Sequence, residues 1–185
     1  GGTLYYTLPT PGAANTTKSF ATTDLSLTEG RDAVYINELL YKNTFSVIDL
    51  YGERSPWVEL YNGSSQPVSL SDYALSDDPD SLWKWNLPDI TLEAGGYVII
   101  YLSGNDQKTG ELHTNFKLGD ADSAIYLTNL STQTLQTVTL PAESKDNVSY
   151  GLGADGQWLF FPSPTPQAAN GTQGFTEISM VSGDS

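Results

Sequence analysis

His113 is the only histidine in the chain, so it alone could supply the imidazole base of a Ser-His-Asp arrangement, for which serines and aspartates are plentiful. Leu112-His-Thr-Asn-Phe116 alternates as an exposed strand would, however, and no Gly-x-Ser-x-Gly elbow occurs. His113 is therefore expected at the surface, without a catalytic role. Asp77, Asp78 and Asp80, with Pro79 among them, are the best candidate metal ligands. Calcium takes about six to eight oxygens, and this loop offers three carboxylates but not the spacing of a twelve-residue calcium loop. Weak calcium binding is the most it suggests, and a solvated acidic loop is the simpler expectation. Asp120 and Asp122, near a turn, make a weaker pair. Trp83 and Trp85 share one face of Leu82-Trp-Lys-Trp-Asn86, which would suit stacking against a sugar ring or, equally, a core strand. No carboxylate pair stands out for glycoside hydrolysis. The Asn-x-Ser/Thr sites at Asn15, Asn62, Asn129, Asn147 and Asn170 matter only in a host that glycosylates.

Composition removes other chemistries. With no cysteine there are no disulfides, thiolate nucleophiles or Cys-based metal sites. The formal charge of −14, from 22 acidic and 8 basic residues, repels phosphate backbones, and no Lys/Arg cluster offsets it, so nucleic acid is excluded as a partner. No window approaches the roughly 18–20 apolar residues of a membrane span. No charged-then-apolar leader is present, so an export signal is expected outside this sequence. The length of 185 residues fits one domain with flanks, and 38% hydrophobic residues are enough to fill its core.

The elements that must position these residues are short strands recurring about every ten residues. Runs include Val34 to Tyr41, Trp57 to Tyr61, Val68 to Leu70, Tyr73 to Leu75, Tyr97 to Leu102, Leu112 to Leu118, Ala124 to Thr128, Leu135 to Leu140, Val148 to Tyr150 and Trp158 to Phe161. Most alternate apolar with polar, and turn signals such as Asn62-Gly63 separate them. Helical periodicity is nearly absent, which predicts an antiparallel sandwich or barrel. In Trp57-Val-Glu-Leu-Tyr61, Val58 and Leu60 share one face and Trp57, Glu59 and Tyr61 the other. A central strand would bury both faces, with Trp57 filling space between sheets, and Glu59 would then require a hydrogen-bonded partner.

A repeat frames these strands. Thr10-Pro-Gly-Ala-Ala-Asn-Thr-Thr-Lys-Ser-Phe20 and Thr165-Pro-Gln-Ala-Ala-Asn-Gly-Thr-Gln-Gly-Phe175 match closely, and aromatic pairs, Tyr5-Tyr6 and Phe160-Phe161, precede them. This predicts a tandem array: residues 1–31 are the tail of a preceding repeat plus linker, 32–170 a complete domain, and 171–185 a linker. The Pro-rich stretch 162–174 is expected to be extended, hydrogen-bond-poor connector.

Three segments, in order, resemble the lamin tail domain, the immunoglobulin-like module at the end of intermediate-filament lamins that also occurs in secreted bacterial proteins. They are Val34-Tyr-Ile-Asn-Glu38; Pro56-Trp-Val-Glu-Leu-Tyr-Asn62; and Trp85 with Leu87-Pro88, Ile90 to Tyr97 and Phe116-Lys-Leu118. The closing Pro164-Thr-Pro166 and Ala168-Ala-Asn170 are similar to the Thr-Pro-Gly-x-x-Asn that ends many bacterial copies. Two departures stand out: Ser55 precedes Pro56 where an acidic residue before the tryptophan is usual, and Gln167 replaces the glycine of the closing motif. The resemblance implies an all-β, antiparallel immunoglobulin-like β-sandwich and a non-catalytic structural or protein-interaction module, extracellular or at the cell surface. Its expected partners are other protein domains or the surface itself. A carbohydrate-binding module using Trp83 and Trp85 is the alternative.

Overall fold

Strict alternation in most of these segments puts one set of side chains between two layers and the other set outside them. The computed structural model describes residues 26–119 and 122–181, together with strands β1 (Tyr5–Tyr6) and β2 (Ser19–Phe20). The remaining strands are β3 (Thr28–Glu29), β4 (Val34–Leu40), β5 (Trp57–Asn62), β6 (Val68–Ser69), β7 (Tyr73–Ser76) and β8 (Trp85–Asn86), followed by β9 (Thr91–Leu92), β10 (Tyr97–Tyr101) and β11 (Leu112–His113). The last four are β12 (Ala124–Asn129), β13 (Thr134–Thr139), β14 (Ser149–Leu152) and β15 (Trp158–Phe161). Helix among the described residues is confined to two short 3-10 turns, Leu70–Asp72 and Ile178–Met180.

Two sheets make the sandwich. One has strand order β11-β10-β5-β4-β14-β15 and the other β3-β13-β12-β7-β8, while β1-β2 and β6-β9 form separate two-stranded ribbons. Every pairing is antiparallel except β10 with β11 and β3 with β13. Val34, Ile36, Val58, Leu60 and Ile100 of the first sheet pack against Tyr73, Leu75, Trp85, Ile125, Leu127 and Val138 of the second, and Phe116 and Leu118 join the same core. The expected all-β immunoglobulin-like sandwich is what the chain forms.

Sequence boundaries and structure part at both ends. β3 lies before residue 32 yet pairs with β13, and the Glu29 carboxylate accepts hydrogen bonds from Thr137. Beyond residue 161 the chain does not leave the sandwich. Its segment 162–170 folds back across the outer face of the six-stranded sheet, Gly171 and Gly174 pass over Leu159 and Phe161, and Ile178 and Val181 lie on the opposite side, against Phe160. Phe175 bridges β15 at Phe160, and Phe160, Ile178 and Val181 form a small apolar cluster. Proline removed backbone donors from this stretch, which suggested a bare connector, but side chains and the remaining N–H groups do the docking. Most of the first repeat copy, residues 10–18, lies outside the described residues.

Trp57 is also placed differently from the expectation. It is fully buried, but on the outer face of the sheet with Leu40 and Tyr101, packed by Val47 and Ile99; the space between the sheets is filled by Val58 and Leu60. The six-stranded sheet is therefore covered on both faces. The loop 41–56 roofs Trp57, the segment 162–170 roofs the middle of β4 and β5, and residues 171–174 pass over Leu159 and Phe161 of β15.

Leu60→Ala, in the inter-sheet core, is expected to cost about 2–5 kcal/mol, read as a lower urea midpoint at unchanged slope. Tyr61→Ala, on the half-buried outer side of the same strand, should cost under about 2 kcal/mol. Equal losses would contradict this assignment of faces.

Candidate functional site

The site with the most unusual chemistry is a pair of buried glutamates. In β4, Val34 and Ile36 face the core and Tyr35 faces out, so strict alternation would turn Glu38 inward. A β-bulge prevents this. The register with β5 shifts between Ile36 and Glu38, leaving Asn37 as the extra residue, and Glu38 comes to lie beside Glu59 on the outer face. Bulges re-aim side chains in this way, and here the result is two carboxylates opposite each other, both fully buried.

Like charges facing each other across strands destabilise a sheet unless donors converge on them. The donors come from the chain's end. Thr165 donates its backbone N–H to Glu38 at 3.1 Å and its hydroxyl at 3.1 Å, while the Ser149 hydroxyl donates to the other Glu38 oxygen. Glu59 accepts the backbone N–H of Gln167 and, at 3.4 Å, the Asn37 amide. Asn170 locks the arrangement by donating to the carbonyls of Asn37 (3.0 Å) and Leu152 (2.9 Å) and accepting from Asn37 at 3.1 Å. Gly151 makes room: a Cβ there would stand 2.8 Å from the Asn170 amide nitrogen and 3.1 Å from the Asn37 carbonyl.

Burial raises the pKa of both glutamates, more than their hydrogen bonds lower it. For Glu59 the neighbouring Glu38 charge adds to burial, and the value is pushed up to about 7. The pair thus tends to hold a proton near neutral pH. Covered by 162–170, it acts as a receptor for backbone N–H groups.

Asp32 behaves oppositely. Burial opposes its charge, but hydrogen bonds from the Ala33 backbone, Thr132, Tyr73 and Asn129 outweigh that and hold its carboxyl below the ordinary range. These bonds tie the entrance of β4 to the second sheet.

The histidine expected at the surface is instead fully buried. β11 runs along the edge of β10, so the ring stacks on Tyr101 at 5.0 Å and meets Tyr51 edge-on at 5.3 Å. Its Nδ1 lies 2.9 Å from Ser103 Oγ, and its Nε2 lies 3.6 Å from a Glu111 oxygen that accepts the Leu50 N–H. This resembles a serine–histidine–carboxylate line, but 3.6 Å is not a hydrogen bond, and Ser103 Oγ accepts the Asn105 N–H. Ser103 borders an open hollow of about 510 Å³ with Arg54, Asn105 and Lys117. The cluster anchors the 103–107 turn, and nothing holds the imidazole as a working base requires.

The carboxylates of the acidic loop are not gathered around one point. Asp77 turns to Lys84 at 2.6 Å, whereas the Asp78 carboxylate accepts the Asp80 N–H at 2.9 Å. Among the described residues no group of three His, Asp or Glu side chains is placed to hold a metal ion. Asp122 accepts the Gly119 N–H; Asp120 lies outside the described residues. Trp85 is a buried core residue whose indole N–H donates to Asp106 at 3.0 Å, and Trp83 is half-buried. The structure therefore does not present the two tryptophans as a shared platform.

Sequence reasoning missed the residues that hold the glutamates, namely Thr165, Gln167 and Asn170, although it singled out their motif. The demand of Glu59 for a partner was the signal that could have joined the two. It also missed an exposed apolar loop. Phe45 is 83% exposed, and Ile48, Leu50 and Tyr51 are each more than half exposed. That loop is braced, with Asn147 accepting the N–H groups of Thr44 (2.9 Å) and Phe45 (2.6 Å), Asn43 donating to Val47 and Ser55, and Asp49 accepting from Tyr51, Glu53 and Ser55.

A two-sheet immunoglobulin-like module whose buried polar groups serve its own backbone is the class this geometry defines. Residues 27–142, well over half of the chain, match the family model described as Lamin Tail Domain, and the chain belongs to that family, one of non-enzymatic immunoglobulin-like domains. No curated protein sequence matches it. The match ends before β14, β15 and the segment that covers the glutamates.

Since Glu59 holds its proton more tightly folded than its ordinary value of 4.5, folding takes up a proton between about pH 4.5 and 7, and stability falls as pH rises through that window. Glu38 contributes with the same sign, whereas the contribution of Asp32 is lost only as pH falls below its ordinary value of 3.8. The melting temperature is expected to drop from pH 5 to pH 8, equivalent to about 1–3 kcal/mol, and Glu59→Gln should flatten the slope. A flat wild-type profile would contradict the buried pair. Separately, Gly151→Ala should cost about 1–3 kcal/mol by pushing Asn170 away, measured by urea unfolding.

Proposed function

We propose that this chain is a non-catalytic structural and protein-interaction module of a larger secreted or surface-attached protein, and that it contacts neighbouring protein domains through the loop 43–54. The observation that carries this reading is the braced display of Phe45, Ile48, Leu50 and Tyr51 in water. Contiguous exposed apolar side chains mark interaction surfaces, and a loop held by buried asparagine and aspartate side chains loses little freedom on binding. Membership of an immunoglobulin-like interaction family supports the same role. The extracellular setting is favoured by the resemblance to secreted bacterial members, and the −14 charge argues against nucleic acid. No helix among the described residues is long and apolar enough to cross a membrane.

Phe45→Ser combined with Ile48→Ser is expected to leave the melting temperature within about 2 °C while weakening association with adjoining domains of the parent protein about tenfold or more, measured by calorimetry. Unchanged affinity would remove this loop from the interface. Tryptophan fluorescence should not respond to polysaccharides; quenching abolished by Trp83→Ala would put sugar binding in place of this reading.

A further inference from the structure

The segment that covers the glutamates exists twice in the sequence. Its resident copy is part of a larger closing element: β15, the Thr165–Asn170 latch, and the return to Phe175, whose N–H and carbonyl both bond to Phe160. The sequence of this element recurs 155 residues upstream, and so does the pairing of its two ends. β1 and β2 pair antiparallel with Tyr5 opposite Phe20, fifteen residues apart, as Phe160 and Phe175 are. The aromatic pair Tyr5-Tyr6 corresponds to Phe160-Phe161, and between the paired positions Thr10-Pro-Gly-Ala-Ala-Asn15 corresponds to Thr165-Pro-Gln-Ala-Ala-Asn170. A common sequence and a common backbone pairing are two separate observations of one repeat.

The contacts show which residues matter. Thr165 uses its N–H and hydroxyl, Gln167 its backbone N–H, and Asn170 its side chain. The upstream copy keeps the threonine and the asparagine, and a backbone N–H is available from any residue but proline. At the one position that differs, Gln167 sits at φ +61°, in the left-handed region where a side chain is disfavoured. The upstream residue there is Gly12, and glycine has no side chain to disfavour that conformation. The upstream copy thus carries in its sequence every group that the resident latch offers the glutamate pair, with a glycine where the latch requires a left-handed residue. In this sandwich, the Glu38–Glu59 receptor is already filled by the resident latch.

We propose that residues 5–20 are the closing element of a second sandwich, with Thr10, Gly12 and Asn15 docking on a buried glutamate pair of the Glu38–Glu59 kind in a neighbouring unit. The partner is a sandwich with an Ile-Asn-Glu strand beside a Trp-Val-Glu strand. Each unit of such an array is then sealed by chain that continues directly into the next, which makes the joint a short, tethered linkage.

The test uses a second copy of this chain as the neighbouring unit. In the full chain carrying Thr165→Ala and Asn170→Ala, the resident latch is weakened, and a labelled peptide of residues 3–22 is expected to bind and raise the melting temperature. Asn15→Ala in the peptide should weaken binding about tenfold or more. A peptide of residues 158–177, with Gln167, should bind about five- to tenfold less tightly than residues 3–22. Binding of residues 158–177 but not 3–22, or equal binding of 3–22 and its Asn15→Ala form, would overturn the proposal. Should the double variant fail to fold, transplanting residues 5–20 in place of 160–175 in the full chain decides the matter. Retained cooperative melting within a few degrees supports the assignment, and an unfolded product refutes it. The inference rests on the reading of the chain as one module among several. Peptide binding without loop-mediated association would defeat the role given to loop 43–54 and leave this inference standing; the converse result would do the opposite.

Discussion

Two carboxylates buried side by side on the outside of a sheet cannot remain there without hydrogen-bond donors, and the rest of the six-stranded sheet is arranged around that requirement. Glu38 and Glu59 hold the segment 162–170 over β4 and β5 by accepting the N–H groups of Thr165 and Gln167. The bulge at Asn37, the missing side chain at Gly151 and the amide of Asn170 follow from the same demand. A buried polar cluster of this kind fixes one arrangement among many, since a half-satisfied version would be worse than an apolar surface.

Covering a sheet on both faces has structural consequences. β5 reads Trp-Val-Glu-Leu because neither face meets water: Val58 and Leu60 serve the inter-sheet core, Trp57 is roofed by the loop 41–56, and Glu59 by the closing segment. The loop that roofs Trp57 turns its other side outward with Phe45 at the tip, so one element seals the sheet and displays an apolar surface. Asn62, at the end of the strand, joins the following turn to β9, donating to Gln66 and Leu92 and accepting from Ser64. The motif that marks the family is thus a set of structural obligations.

Strand positions were readable from the sequence because period-2 alternation is a local signal: Trp57 to Asn62 and Ala124 to Asn129 fall where the alternation puts them. The family was legible for the same reason. Alternation failed where tertiary cover overrode it. His113 occupies a position that faces out on a simple strand, yet Tyr51 and Tyr101 enclose it. Trp57 was assigned to the wrong side because the roofing loop is non-local. The glutamate site was half visible: the need of Glu59 for a donor could be stated, but its donor lies 108 residues away, and a proline-rich stretch gives no local hint of docking.

One further feature concerns the rim of β4. β14 pairs with it only at Glu38 and Leu39, which leaves the N–H and carbonyl of Ile36 without a strand partner on that side. Gln136, reaching across from the second sheet, accepts the one at 2.7 Å and donates to the other at 3.2 Å, so a single side chain imitates a missing neighbour. An open ladder of this sort is where foreign chains add and fibrils nucleate. By occupying it from within, the sandwich keeps this strand from becoming a template for the addition of a second chain.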